Sequence, residues 1–155
     1  MTTLNKTFFN AINAAESCFA SLKTADFLTL QQLVLEPEQA GVYVLYEGEE
    51  AVYVGRTRRI RKRIRDHLSD NHFSATFVKR LARNDWHKAH SPTKRCPTTT
   101  LLDDTNYKRF VTIRREYVSR LQIKYLPCPD PLEQYLLEAY AIVALDLGHE
   151  ELKTH

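Results

Sequence analysis

The sequence predicts a mixed α+β domain, and three observations predict it. Two runs of β-branched and aromatic residues, Gly41 to Tyr46 and Ala51 to Gly55, flank a Glu47-Gly48-Glu49-Glu50 turn and read as a hairpin. Apolar residues recur at helical spacing before that hairpin, directly after it and again near the C-terminus. β-type patterns return at Tyr107 to Ile113 and at Val118 to Leu126. With 155 residues and 43% hydrophobic content, the chain suits one compact domain with a real core.

From about Thr3 to Leu22, Phe8, Ile12, Ala15, Phe19 and Leu22 share one helical face. This helix covers a core rather than lying on a membrane, because its polar face is not basic. A second helical stretch, Leu28 to Leu35, stops before Pro37. After the hairpin, Thr57 can cap a helix whose stripe is Ile60, Ile64 and Leu68. Ser74 to Ala82 reads as a further helix with Phe77, Val78 and Leu81 inward. Trp86 to Asn106 carries Pro92, Pro97 and three consecutive threonines, and reads as an inserted loop. In the last β pattern, Leu121, Ile123 and Tyr125 alternate with Gln122 and Lys124. Asp130-Pro131-Leu132-Glu133 is a helix start: a cap, a proline at the first position and a carboxylate in the first turn. That helix runs to about Leu147, before Gly148.

The charge is segregated. Between Arg56 and Lys124 there are 19 basic and 6 acidic residues; the remainder has 3 basic and 13 acidic. A net charge of +3 therefore hides a middle of about +13 and flanks of about −10. Such a middle attracts polyanions in a salt-dependent way. Cys18, Cys96 and Cys128 are odd in number and far apart, which fits a reducing cytoplasm better than a disulfide framework. No transmembrane run, signal peptide, internal repeat or low-complexity segment is visible.

Several residues carry chemistry. Arg63 and His67 stand one turn apart on the basic helix. A guanidinium presents a planar fork to two phosphate oxygens, and an imidazole can move a proton near neutrality. Tyr43 and Tyr53 sit on the adjoining hairpin, where the ordinary alternative is cross-strand packing. A tyrosine hydroxyl needs nearby positive charge to act as a base. Arg56, Arg58, Arg59, Arg61, Lys62, Arg63 and Arg65 place seven cations in ten residues, a density that favours phosphate contact over a plain solvated face. Glu138 is the one charge between Gln134 and Leu145. A carboxylate among apolar neighbours requires a partner or a cation, and one carboxylate with waters and substrate phosphate is a usual way to hold Mg²⁺. His87, His90 and Cys96, with His72 nearby, match no strong zinc template.

The Gly41-Val42-Tyr43 and Tyr53-Val54-Gly55 triplets, followed by Arg63 and His67, resemble the core of the GIY-YIG nucleases, and are similar to the N-terminal nuclease module of UvrC. Nine residues separate the two tyrosines, and Arg63 falls ten after Tyr53, where the family has its catalytic arginine. The stretch Leu137-Glu138-Ala139-Tyr140-Ala141-Ile142 is similar to the family helix whose glutamate holds the metal. The resemblance implies a small three-stranded antiparallel sheet flanked by helices. Residues 1–37 would be an N-terminal helical extension, 38–85 and 107–148 the catalytic core, and 86–106 an insertion loop before the third strand. It implies a metal-dependent endonuclease acting on double-stranded or branched DNA, with a single Mg²⁺ or Mn²⁺ on Glu138. Tyr43, Tyr53, Arg63, His67 and Glu138 would be catalytic. Gly55, Arg56, Arg58, Arg59, Lys62 and Arg65 would contact nucleic acid. Repair and restriction roles are both compatible with it.

The chain departs from that pattern twice. Arg63 and Glu138 are 75 residues apart, longer than in compact members, and no asparagine follows Glu138, leaving His149 or Thr154 as substitutes. The second departure motivates an alternative, a nucleic-acid-binding module on the same fold without the chemistry. A third possibility is an interaction protein using its N-terminal helix.

Overall fold

A computed structural model describes residues 3–69, 76–91, 93 and 96–148. By contacts the chain divides into two units, residues 1–62 with 121–155, and residues 63–120. The elements of the first are helix α1 (Thr3–Thr24), strand β1 (Leu28–Thr29), helix α2 (Leu30–Leu33), strands β2 (Gly41–Glu47) and β3 (Glu50–Thr57), strand β4 (Gln122–Pro127) and helix α7 (Pro131–Ala144). Helix α3 (Ile60–Leu68) begins in this unit and continues into the second. The second also holds α4 (Thr76–His90), the single turn α5 (Thr98–Leu101) and α6 (Thr105–Ser119).

The sheet has four antiparallel strands in the order β1-β4-β2-β3. The three expected strands are present, and the two-residue β1 adds an edge by pairing Leu28 with Ile123. The β2–β3 turn has Gly48 at its first central position with φ +61°, the left-handed backbone that a two-residue hairpin needs there. Between Leu45 and Tyr46 the register shifts by a bulge.

Strand β2 is covered on both faces. Val42, Val44 and Tyr46 join Val54 in a core completed by Phe19 and Leu22 of α1 and by Leu137, Ala141 and Ile142 of α7. Tyr43 and Leu45 point the other way, both fully buried. Gly41 is required for close approach: a Cβ there would lie 2.2 Å from the Leu126 carbonyl oxygen. On β4, Lys124 donates to the Lys23 carbonyl, closing an orphan acceptor at the C-terminus of α1, and its ammonium lies 4.3 Å from the Phe27 ring centroid.

Several expectations need correction. In α1 the buried stripe is Ala11, Ala15, Phe19 and Leu22, whereas Phe8 and Ile12 are exposed. Of this stripe, Phe19 and Leu22 enter the core shared with α7. Of Leu28 to Leu35 only Leu30–Leu33 is helical, a single turn that follows β1 and opens with a capping box between Thr29 and Gln32. Helix α7 stops at Ala144, and Asp146 rather than Gly148 is the first residue past it with positive φ, +53°.

The largest correction falls in the second unit. Tyr107 to Ile113, expected as a strand, lies inside α6. Its side chains are β-prone one by one, but a tertiary partner decides such a segment. Tyr107, Val111 and Val118 are its buried residues, at helical spacing, and the Asp104 carboxylate caps it by accepting from the Tyr107 amide at 2.7 Å. That bond holds the Asp104 carboxyl below its ordinary range. Residues 86–106, expected as a loop, contain the end of α4, α5 and the start of α6. Helix α4 packs against α6 through Phe77, Val78 and Ala82, and Arg114 holds Asp85 with two hydrogen bonds. Leu81, expected inward, is only half-buried.

Gly41→Ala should destabilise the protein by about 1–3 kcal/mol, since a backbone oxygen cannot move aside as a side chain can. Thermal or urea denaturation measures it, and an unchanged midpoint would contradict the packing described.

Candidate active site

In the first unit, β2 and β3 bring the two tyrosines together. Tyr43 pairs in register with Gly55, and Tyr53 with Leu45, so both rings occupy one face; their centroids are 6.0 Å apart. The Tyr43 ring lies across Gly55. A Cβ added at Gly55 would stand 2.6 Å from Tyr43 Cζ and 2.7 Å from its hydroxyl oxygen. The glycine of the second triplet is thus the space that the tyrosine of the first occupies. Tyr43 is fully buried and Tyr53 nearly so.

Tyr125, which the sequence reading did not single out, lies opposite Tyr43 on β4 and completes the tyrosine face. Its hydroxyl donates to the Ala40 carbonyl at 3.1 Å. Burial first, then the nearby Glu38, pushes its pKa up to about 12, so it stays protonated at neutral pH. Register alternation alone could have found it, had the pairing of β2 with β4 been known.

Arg56 follows Gly55 and, by alternation, points to the opposite face, toward α7. There its Nε lies 2.9 Å from Glu138 Oε2, and its guanidinium stacks on the Tyr135 ring at 3.5 Å. Glu138 is 5% exposed, placed one residue after Leu137, which packs into the core. Burying this carboxylate is costly, and the Arg56 charge offsets the cost. Arg56 was expected as a nucleic-acid contact; in the structure it is the ion-pair partner of Glu138. The tyrosine face and the Arg56–Glu138 pair therefore lie on opposite faces of the sheet, at the neighbouring residues 55 and 56 of edge strand β3.

The start of α3 is held by the first unit. Ile60 donates to the Gln39 carbonyl at 2.9 Å, and the Arg61 amide donates to Glu38 Oε1 at 2.8 Å. Thr57, expected as the cap, accepts from the Arg59 amide at 3.0 Å, so the turn before the helix is shared between Thr57 and Glu38. Arg61 is committed to structure, its Nε donating to the Val34 carbonyl. Arg58, Arg59 and Lys62 are exposed.

Arg63, Arg65 and His67 belong to the second unit. Arg65 is exposed and Arg63 half-buried, while His67 is fully buried and continues the Ile60–Ile64 stripe in the place expected for the half-buried Leu68. Burial, followed by the neighbouring Arg63 charge, pushes the His67 imidazole down to about 3. It is therefore neutral at physiological pH. As a neutral imidazole it can donate a hydrogen bond at one ring nitrogen and accept at the other.

The zinc reading fails on geometry. His87 Nε2 accepts from the Cys96 amide at 2.8 Å, leaving Nδ1 to donate to the Arg83 carbonyl at 2.7 Å. His72 lies outside the described residues, as do His149 and Thr154. Among the described residues no cluster of three His, Cys, Asp or Glu could hold a metal ion. Glu138 fits a divalent ion in the other manner, as one buried carboxylate supplying a hard oxygen ligand. Arg56 engages Oε2, so an ion held by Oε1 alone would not require the guanidinium to leave.

Two outcomes follow. Because the His67 pKa falls from 6.5 unfolded to about 3 folded, the unfolded chain alone binds this proton between those values. Stability should decline as pH drops below 6.5, by up to about 1.4 kcal/mol per pH unit from this group. His67→Gln should flatten that slope in pH-dependent denaturation; an unchanged slope would refute the assignment. Arg56→Ala should cost on the order of 3 kcal/mol, toward the low end of buried-pair losses because Arg56 retains some exposure. Glu138→Gln added to it should recover part of that loss in the same denaturation assay, and no recovery would contradict the pairing.

The family model of the GIY-YIG catalytic domain matches residues 39–117. Glu138 lies beyond the matched residues. Solved structures similar to this chain include three tyrosine-to-phenylalanine point mutants of the GIY-YIG N-terminal endonuclease domain of UvrC from Thermotoga maritima, each bound to a catalytic divalent cation. Two of them are 17% and 16% identical, cover 75% of this chain and 87% of theirs, and have a TM-score of 0.43. The third is 16% identical, covers 75% and 88%, and has a TM-score of 0.41. No curated protein sequence matches the chain. No described helix is long and apolar enough to cross a membrane. With its two triplets on β2 and β3 and just over half of its length matched by the family model, this chain belongs to the GIY-YIG family.

Proposed function

We propose that the chain is a cytoplasmic, metal-dependent endonuclease that hydrolyses phosphodiester bonds in double-stranded or branched DNA. The observation that carries this reading is the tyrosine pair packed over Gly55 in a member of this family, with a buried carboxylate, Glu138, in the same unit. Tyr43, with Tyr53 against it, would take the proton of the attacking water. Arg63 would grip the scissile phosphate through its planar fork. Neutral His67 would orient a neighbouring group by hydrogen bonding. Exposed Arg58, Arg59, Lys62 and Arg65 would hold the flanking phosphates.

Glu138 would hold the divalent ion, Mg²⁺ or Mn²⁺. When bound, such an ion stabilises charge on the leaving oxygen. Arg56 also stacks on Tyr135, so its guanidinium would keep a berth when the ion takes a share of the carboxylate.

The same ion pair favours a second reading. A Glu138 permanently neutralised by Arg56 would leave a nucleic-acid-binding module without catalysis.

Incubation with supercoiled plasmid, with and without Mg²⁺ or Mn²⁺, decides between them. The first reading expects metal-dependent nicking, reduced roughly 10²–10³-fold by Arg63→Ala or Glu138→Ala, with salt-sensitive binding retained in the Glu138 variant. Binding without nicking of plasmid or of branched duplexes would favour the second.

A further inference from the structure

The helical pair of the second unit carries a cleft that the catalytic reading does not use. Between α4 and α6, a pocket of about 400 Å³ is lined by Ala89, His90, Asn106, Arg109, Phe110 and Ile113. That volume is in the range of small-ligand sites, roughly 300–1,000 Å³. Its wall is apolar and partly aromatic, and its rim carries one cation, one amide and one imidazole. Ile113 stays 49% exposed there although it is a large aliphatic residue.

The surrounding charge is unbalanced. Residues 63–120 contain 13 basic and 6 acidic residues. Three of those acids are consumed locally: Asp85 by Arg114, Glu116 by Arg120, and Asp104 by the α6 cap and the Trp86 indole N–H. Among the described residues, the side chains of Lys88, Lys108 and Arg109 have no ion-pair or hydrogen-bond partner. The cleft is thus a partly apolar slot with one uncommitted cation, Arg109, on its rim.

One rim residue is rigidly placed. The His90 ring stacks on Trp86 at 4.5 Å, nearly parallel at 14°, and its Nδ1 pairs with the Trp86 carbonyl at 2.9 Å. Its Nε2 is left as the exchangeable edge. Asn106 adds a donor and an acceptor.

We propose that this cleft is a nucleotide subsite that takes one unstacked nucleotide of a nucleic-acid chain. The base packs against Phe110 and Ile113, as bases removed from a stack pack on aromatic and apolar side chains. Arg109 holds the adjoining phosphate. Asn106 and His90 meet the polar edge of the base. The proposal rests on the nucleic-acid reading for its class of ligand, and adds that the chain distinguishes nucleic acid with an unpaired nucleotide from continuous duplex.

Trp86 is the single tryptophan of the chain, so its fluorescence reports the cleft through His90. The full chain is titrated, without divalent metal, with a perfect duplex and with the same duplex bearing a one-nucleotide bulge. The expected result is tighter binding of the bulged duplex, by about tenfold from one base stack, with quenching of Trp86. Arg109→Ala should remove most of that preference. Ile113→Lys fills the slot while adding a cation; it should also remove the preference, whereas purely electrostatic binding would tighten. Both positions are solvent-accessible, so the fold is retained.

Equal affinity of the wild-type chain for both duplexes, or an Ile113→Lys variant that keeps the preference, overturns the subsite and leaves the nuclease reading standing. Absence of binding to either duplex overturns both. A free nucleoside monophosphate that quenches Trp86 as tightly as the bulged duplex makes this a small-molecule site and overturns the chain-bound assignment.

Discussion

Strand β2 is hydrogen-bonded on both edges and buried on both faces, and the rest of the first unit depends on that confinement. A strand so placed allows no slip, because a shift of one residue would exchange Val42 and Val44 with Tyr43 and Leu45. Two glycines make the confinement possible. Gly41 admits the β4 backbone, and Gly55 admits the Tyr43 ring. The triplets are therefore packing statements before they are catalytic ones.

Charge is managed differently in the buried and exposed parts. Glu138 is desolvated, and its burial is tolerable because Arg56 stands against it. His67 is desolvated beside a cation and responds by staying neutral. By contrast, Arg58, Arg59, Lys62 and Arg65 remain in water. The basic segment thus serves two ends. Arg56 and Arg61 are committed to structure, and its exposed members supply the positive surface that a polyanion would meet.

In the second unit, local propensity and tertiary packing disagree, and packing prevails. Tyr107, Val111, Thr112 and Ile113 favour extended backbone as single residues. Yet Tyr107, Val111 and Val118 line one helical face, and α4 offers them an apolar surface. The Asp104 cap and the bidentate Arg114–Asp85 pair then hold the helix in place. The spacing of 107, 111 and 118 was legible in the sequence. What masked it was the density of β-branched residues, which a window of seven cannot separate from a strand.

The hairpin, the helix that follows it, the capped final helix and the candidates Tyr43, Tyr53, Arg63 and Glu138 were legible before any fold was known. These are local or motif-borne features, readable from turn chemistry, periodicity and spacing. Which residues meet was settled by packing. The pairing of β2 with β4 brings Tyr125 beside Tyr43, and the packing of α7 on β3 makes Arg56 the partner of Glu138 rather than a free phosphate contact. Those meetings join residues tens of positions apart in sequence. The burial that neutralises His67 is likewise a property of the assembled fold, because desolvation is set by what surrounds a side chain and not by its neighbours in the chain.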